Sequence, residues 1–444
     1  MNTPEPPSDR RPAFVLFGDL PKIGPYLTDL RQRGLEILVV SGPPKSTMES
    51  HSAAFLDVPG HPFSAITETR ALRGGDHTGI LDQLITWSQR YRVVGIFAAT
   101  EIFVEAAGLA TDLLGLPGVT LRASQVCRNK FLQRQYLKDW SPKSRLVTPD
   151  SRLEAVEAFR DSFPVVVKPL TLWSSIGVKT FTDAEELSGY LAALPDGDEV
   201  LLEERVPGRE FNVDAIVVDG EPVYCAITQK GTNEDATRFF AELVHTLPPT
   251  NLSDAEAGKV VDTHCEVVRH LGFGTGMAHA EYRVTPEGEV VLMEIAARPP
   301  GDGCLHLYHL TTGRPIERAL IEAALGHTVR YPEPARRARQ VYFEHTPGLL
   351  TDVVVEGPDA PEPTWVVDTG IWPPLLPGAL DGSPELRQIL VLKERDEALA
   401  DITESGNRAV TAIFDSPLDT DIDAFEKEIR RRVSIHTRAD GSSR

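Results

Sequence analysis

Cysteine is scarce in this chain: Cys127, Cys225, Cys265 and Cys304 are the four among 444 residues, and no two form a C-x-x-C pair. That spacing excludes a disulfide framework and a thiolate zinc site, and it fits reduced thiols in a reducing compartment. No run of about eighteen apolar residues exists, and Met1–Arg11, rich in proline and charge, holds no hydrophobic signal core. Neither a spanning helix nor export is expected, so no membrane partner is, and the cytoplasm is the default. Basic charge is also short, with 45 Lys and Arg against 65 Asp and Glu and a net charge of −20. Nucleic acid is excluded as the main ligand, because its phosphate backbone is bound by a basic field. Any anion must be gripped locally. Neither G-x-x-x-x-G-K-[ST] nor a strand-linked G-x-G-x-x-G occurs, which removes the Walker-type and dinucleotide-binding loops.

What is present is a globular composition, 41% apolar and 25% charged, in a chain long enough for two to four domains packed as one body. After a head over 1–12 expected to be disordered, Ala13–Phe17 reads as a buried strand, Ile23–Arg33 as a helix and Leu35–Val40 as a strand. A helix near Gly79–Arg90, the strand Val93–Ala98 and a helix near Ile102–Leu114 repeat the pattern, so an α/β domain with a parallel sheet is expected over 13–125. Over 126–200 a smaller subdomain is expected. It holds a helix containing Lys130–Trp140, the strands Phe163–Lys168 and Val178–Phe181, and a helix started by a Thr182/Glu185 capping box. A core over 201–335 contains the strands Glu199–Glu204, Glu210–Asp219 and Pro222–Gln229, then a helix entered through a Ser253/Glu256 box. A further α/β domain is expected over 336–436, with a basic end at Lys427–Arg432.

The chemistry begins at a hairpin. Met277–Val284, then Thr285-Pro286-Glu287-Gly288-Glu289, then Val290–Ala296 read as strand, turn and strand. With a loop of two or four residues centred between Glu287 and Gly288, paired residue numbers sum to 575 and Glu281 stands opposite Glu294; an odd loop would shift that register. Opposed side chains lie about 4.5–5.5 Å apart at Cβ, where like charges destabilise a sheet, and Glu294 sits within an apolar run. Something must neutralise the pair. Carboxylate oxygens suit Mg²⁺ shared with substrate phosphates, so the hairpin is a candidate metal platform for a nucleotide. The alternative is one exposed carboxylate and one structural ion pair.

Two further segments fit that platform. Lys168 ends the run Phe-Pro-Val-Val-Val-Lys-Pro, and Ser174, Ser175 and Gly177 follow in a flexible loop; an ammonium with loop N–H groups grips phosphates. Glu203 and Glu204 end an apolar strand before a Pro-Gly turn at Val206-Pro207-Gly208. The strand edge there can meet a flat base, and Glu210 can accept from ribose hydroxyls.

These segments appear in a definite order: Lys130 with Leu132 and Arg134, Val-Val-Lys168-Pro, Ser-Ser-Ile-Gly, Glu-Glu-x-Val-Pro-Gly-x-Glu-Phe, His279-x-Glu281 and Glu294-Ile-Ala-Ala-Arg298-Pro. Over residues 125–325 that order resembles the ATP-grasp superfamily of carboxylate-amine ligases. The resemblance implies an ATP-grasp fold with an N-terminal parallel-sheet pre-grasp domain and a C-terminal lid domain. It implies that Lys130 and Lys168 bind ATP phosphates under the Ser174–Gly177 loop. It also implies that Glu203, Glu204 and the Val206 backbone meet adenine, that Glu210 meets the ribose, and that Glu281 and Glu294 hold Mg²⁺. Many relatives have Asn where this chain has Ala296, so one metal ligand is missing.

Within the superfamily, Ala-Glu242-Leu-Val-His245, His279-Ala-Glu281 and Ala-Ala-Arg298-Pro-Pro-Gly-Asp302 look most like the L-amino acid ligases that make dipeptides. In those enzymes the acid and histidine line the substrate site and the arginine steadies the reacting groups. Asp302 falls where some relatives place a bulky residue, so specificity does not transfer. The expected activity is ATP-dependent amide-bond formation between a small-molecule carboxylate, foremost an amino acid, and an amine, through an acyl phosphate. Arg298 would act as the charge stabiliser, and Glu242 or His245 would orient the amine or take its proton. The 170–178 loop and the lid would move to exclude water. The alternatives are a bicarbonate-using or carbamoyl-phosphate-type enzyme and, given Ala296, a silent ATP-binding scaffold. Homodimers are frequent in similar proteins.

Overall fold

The computed structural model describes residues 10–44, 47–172, 175–234, 237, 239–357 and 360–439. Most of the head expected over 1–12, and Ser174 of the phosphate loop, lie outside them. Arg11 and Pro12 open the first strand instead.

Four sheets form among the described residues. Strands β1 (Arg11–Phe17), β2 (Glu36–Ser41), β3 (Glu68–Ala71) and β4 (Tyr91–Ala98) pair in parallel in the order β3-β2-β1-β4. Ala13 to Phe17 are fully buried. Phe14 and Leu16 pack on one face with Ile23 and Leu27 of the helix Leu20–Gln32, and Val15 and Phe17 on the other with Ile80 and Leu84 of the helix His77–Arg90. A strand covered on both sides must be apolar throughout, hence the unbroken run. The chain leaves β1 toward β2 and returns to β4 on the other side. The crevice at the carboxyl ends of β1 and β4 is therefore a topological switch point, where open parallel sheets take ligands. The helix Leu20–Gln32 follows β1 there, and the turn bearing Glu101 follows β4.

An antiparallel sheet of β5 (Ser144–Val147), β6 (Val165–Pro169), β7 (Lys179–Phe181) and β8 (Val200–Glu204) runs in the order β5-β8-β6-β7. The helix after β7 spans Ala184–Ala193, and its cap is Asp183, whose carboxylate accepts from Glu186 N at 2.8 Å. The Thr182/Glu185 box is thus displaced by one residue. An anionic acceptor suits the positive end of a helix better than a hydroxyl does. The Ser253/Glu256 box forms as expected and opens the helix Asp254–Leu271.

Strands β9 (Arg209–Val218), β10 (Glu221–Thr232), β11 (Glu242–Leu247), β12 (Gly276–Val284) and β13 (Val290–Ala296) belong to the largest sheet. From the C-terminal part come β14 (Arg337–Tyr342), β15 (Gly348–Val355), β16 (Thr364–Trp365), β17 (Glu385–Val391), β18 (Ala398–Leu399), β19 (Val410–Ser416) and β20 (Val433–Arg438). Nine of these strands form one sheet in the order β13-β12-β9-β10-β11-β14-β19-β17-β16, and β18-β15-β20 form another. The division drawn at 335/336 is crossed by strand pairing. β11 hydrogen-bonds directly to β14, so much of the segment expected as a separate lid prolongs the core sheet. Pairing satisfies a β11 edge that would otherwise expose a row of backbone donors and acceptors.

The hairpin of β12 and β13 brings Glu281 opposite Glu294 by an unexpected route. Val284 pairs with Val290 across a loop of five residues, and the sum of paired numbers is 574 up to Tyr282 and Leu292. A bulge at Met293 then restores 575 for Glu281–Glu294, Ala280–Ile295 and His279–Ala296. One extra residue on one strand changes which faces meet, which is what a bulge is for. Nearby, the Pro207-Gly208 turn seats β9 against β12. A Cβ at Gly208, where φ is +124°, would lie 2.2 Å from the Val284 carbonyl oxygen, so only glycine fits.

One buried acid is unconnected to any expected site. Glu317, 6% exposed near the start of the helix Ile316–Ala324, has no partner for Oε2. Burial pushes its carboxyl up to about 7 from 4.5. Below pH 4.5 the carboxyl is neutral in both states. From 4.5 to 7 the unfolded chain ionises first, so stability falls as pH rises and then stays lowered. Glu317→Gln should therefore raise stability by up to about 3 kcal/mol at pH 8. The gain should shrink several-fold at pH 5, read as the shift in the urea midpoint at each pH.

Candidate nucleotide and metal site

A cleft of about 110 Å³ lies between the four-stranded sheet and the largest one, lined by residues of β6, β8, β9, β10, β12 and β13. It is narrow because its own charged side chains meet across it. Lys130 Nζ lies 3.0 Å from Glu294 Oε1 and donates to Leu172 O at 2.6 Å. Lys168 Nζ lies 2.7 Å from Glu203 Oε2. Lys230 Nζ, 3% exposed, lies 2.7 Å from Glu210, 2.7 Å from Glu242 and 3.0 Å from Glu281.

The expected site residues converge here. Lys130, Lys168, Ser175, Glu203, Glu204, Val206, Glu210, Glu242, Glu281, Glu294 and Arg298 all line the cleft. Ser175 Oγ donates to Phe240 O at 3.1 Å, and a Cβ at Gly177, where φ is +74°, would meet Pro169 at 2.8 Å. His245 stands behind Glu242 rather than on the wall.

Several carboxylates have other tasks than those expected. Glu203 is buried between Lys168 and Arg134, whose Nε lies 2.5 Å from its Oε1, and it holds Lys168 in place. Burial opposes its charge, but the two cations win and lower its pKa to about 2. Glu204 accepts from Lys143 N at 3.0 Å, and the Val206 carbonyl from Arg283 at 2.9 Å. Glu210, expected at a ribose, is clamped by Lys230 and by Arg283 at 2.6 Å, and against burial these cations bring its pKa to about 2.

The opposed glutamates are unequal. Burial, with Glu242, Glu210 and Glu294 adding repulsion, raises Glu281 above the usual range despite Lys230. Burial acts on Glu294 too, but Lys130, Lys168 and Arg298 hold it below. Two ammonium groups stand where a divalent cation would balance both carboxylates. This donor set fits Mg²⁺: hard oxygen ligands and crowded negative charge, which Lys130 and Lys230 balance here. Opposite Glu294's neighbour Ala296 is His279, whose Nδ1 lies 2.7 Å from Asp214 Oδ1.

Arg298 is fixed by Glu101, with Nε 2.7 Å from Oε2, and by its own bond from Nη1 to Pro299 O at 2.7 Å. Its Nη2 has no protein partner among the described residues. Arg128 holds the other oxygen of Glu101 at 3.0 Å. Sequence reasoning missed Glu101 and Lys230. Glu101 had a signal, since it follows the carboxyl end of a parallel strand. Lys230 had none, because it becomes a site residue only through pairing of β10 with β9 and β11.

Behind Glu242, His245 Nε2 lies 3.0 Å from Asp302 Oδ2 and 3.4 Å from Glu242 Oε2, and Arg408 grips Asp302 through both Nη atoms at 2.9 and 2.7 Å. Glu242, His245 and Asp302 could converge on a metal ion. Arg408, locked onto Asp302 through both Nη atoms, already neutralises that acid, so a dication there would meet a fixed positive charge. Burial disfavours the imidazolium, but Asp302 and Glu242 outweigh it and raise His245 to about 9. His245 is therefore a cation near neutral pH and does not accept a proton in this state. Because its folded pKa exceeds the ordinary 6.5, the pairing stabilises the fold fully below pH 6.5 and loses its contribution as pH rises through about 9. An NMR titration of the nucleotide-free protein should show the His245 ring protonated at pH 7.5, with a midpoint near 9. A midpoint near 6.5 would restore it as a resting-state base.

A family model described as an ATP-grasp domain matches residues 161–306. Dapdiamide A synthase of Enterobacter agglomerans is 27% identical over 275 residues, covering 59% of this chain and 63% of that protein. The chain thus spans less than two thirds of that relative's length. Alanine–anticapsin ligase of Bacillus subtilis (strain 168) is 24% identical over 336 residues, covering 66% of this chain and 70% of that protein. Among solved structures, an L-amino acid ligase from Bacillus licheniformis superposes with a TM-score of 0.74 at 18% identity, over 97% of this chain and all of that one. Matched segment and fold agree, and the chain carries an ATP-grasp domain.

Proposed function

We propose that the protein is an ATP-dependent carboxylate-amine ligase that forms an amide bond between a small carboxylate, foremost an amino acid, and an amine, releasing ADP and phosphate. The observation that carries this reading is the cleft in which Lys130 and Lys230 meet the opposed pair Glu294 and Glu281, with Lys168 and Arg298 in the same lining. Names of the relatives point the same way, being ligases or synthases.

Phosphoryl transfer asks mainly for positioning and charge stabilisation. Lys130 and Lys168 reach the phosphates when their carboxylate partners are engaged elsewhere, and the Ser175–Gly177 segment covers them. Glu281 and Glu294 would hold Mg²⁺, which supplies charge neutralisation at the transferring phosphoryl group. The carboxylate substrate takes the γ-phosphoryl group to give an acyl phosphate and ADP. The amine then attacks the acyl carbon, phosphate leaves, and the proton lost from nitrogen passes to solvent or phosphate. Arg298, permanently charged and already oriented by Glu101, lends its remaining N–H donors to the acyl phosphate and to the oxyanion that follows. His245 as an imidazolium orders Glu242 and Asp302 beside that centre. The cytoplasm, with ATP and reducing conditions for the four free thiols, is the setting this reading implies.

Release of ADP with Mg-ATP, pooled L-amino acids, other small carboxylates and bicarbonate, with mass spectrometry of each mixture, tests the proposal. A condensed product needing two components is expected; ADP release with bicarbonate alone would replace the ligase by a carboxylase. Arg298→Lys should lower product formation on the order of 10²–10³-fold, while nucleotide affinity, read by fluorescent-analogue titration, stays within about threefold.

A further inference from the structure

A second cavity, about 430 Å³, adjoins the first and lies at the switch point between β1 and β4. The segment Arg298-Pro299-Pro300 divides the two: Arg298 lines the nucleotide cleft, and both prolines line the second cavity. Asp302, Tyr342 and Arg408 form a polar wall, with Arg408 stacked 3.9 Å over the Tyr342 ring and locked onto Asp302. The lining also has an apolar and aromatic part, with Tyr26, Leu305 and Trp372. Every cation on that lining except one is held by a neighbouring carboxylate: Arg408 by Asp302, and Lys393 by Glu397 at 3.0 Å.

The exception is Lys22. It stands in the first turn of the helix Leu20–Gln32, and its ammonium has no ion-pair or hydrogen-bond partner among the described residues. A lysine there faces the positive end of its own helix, which disfavours a cation and favours an anion beside it. The site is open to solvent yet enclosed by protein. That enclosure lowers the ammonium pKa, Asp302 opposing the effect and Arg298 and Arg408 adding to it. Lys22 is thus close enough to Arg298 to sense its charge, on the side of the divider away from the nucleotide. An unpaired cation lining a cavity, with the helix dipole, Arg298 and Arg408 favouring a negative guest against the opposing Asp302, marks an anion position.

We infer that the second cavity takes the amine substrate, that this substrate is an amino acid bearing a free carboxylate, and that Lys22 binds that carboxylate as a specificity residue. This rests on the ligase reading of the first cleft. The amine points toward Arg298 and the acyl group, while the carboxylate that does not react is held at the far end. Simple amines and amino acid amides fit the same space but leave Lys22 uncompensated.

Internal competition tests this without depending on the fraction of active enzyme. An equimolar mixture of L-amino acids and their amides is incubated with enzyme and Mg-ATP, and mass spectrometry gives the ratio of dipeptide to dipeptide amide. An amide can serve only as acceptor, so the ratio reports on the acceptor carboxylate alone. The wild type should favour dipeptides. Lys22→Met should reduce the ratio on the order of 10- to 100-fold, the worth of one charge-assisted hydrogen bond, and Lys22→Arg should restore most of it. Products present with a ratio unmoved by Lys22→Met would overturn the acceptor assignment and leave the ligase intact, as would equal loss of both products, which would place Lys22 on the reacting carboxylate. Absence of condensed product from every component would overturn the ligase reading itself.

Discussion

The structure around the cleft depends on one constraint: carboxylates gathered in a poorly hydrated space must each have a cation. Lys230, nearly inaccessible to solvent, meets Glu210, Glu242 and Glu281 together; Lys130 meets Glu294, and Lys168 meets Glu203. Removing one member of such a set leaves an unpaired buried charge, typically at a cost of about 3–5 kcal/mol. These pairs therefore fix the geometry of β6, β8, β9, β10, β12 and β13 relative to one another. They also keep the cleft narrow, since the cations that nucleotide phosphates would recruit and the carboxylates that a metal would recruit occupy one another. Ligand entry would then be an exchange of partners.

Arg298 belongs to a second arrangement built on the same logic. Glu101 follows β4 of the N-terminal sheet and Arg298 follows β13 of the largest sheet, and their ion pair joins the two segments. Arg128 completes the neutralisation of Glu101, so the guanidinium is oriented without being buried by its partner. Glu242, His245, Asp302 and Arg408 then extend alternating charge from the nucleotide cleft to the adjoining cavity. A substrate crossing between the two would move along a row of fixed, balanced charges.

Much of this was legible in the sequence, for reasons that can be named. The strand, turn and strand of Met277–Val284 and Val290–Ala296 set two glutamates opposite one another in a hairpin, and β1 was evident as an unbroken apolar run. Motif order gave the cleft. What could not be read was long-range pairing. Lys230 gains its meaning from strands on either side of β10, and Glu203 and Glu210 owe their occupied state to Arg134 and Arg283, distant in sequence. The division at 335/336 followed the Pro and Arg content of 331–340, which carries no sign that β14 joins the edge of the sheet begun before it. The Thr182/Glu185 box failed by one residue, since adjacent Thr and Asp both have an acid three positions on.

The bulge at Met293 has a consequence for how this hairpin can change over time. Register at the tip is set by a loop of five residues, whereas register at the glutamates is set beyond the bulge. The two ends of the hairpin are thereby uncoupled. Insertions and deletions, which accumulate at exposed turns, can alter the Pro286–Gly288 region and be absorbed at position 293, so the tip is free to drift in length while the carboxylate pair stays in step.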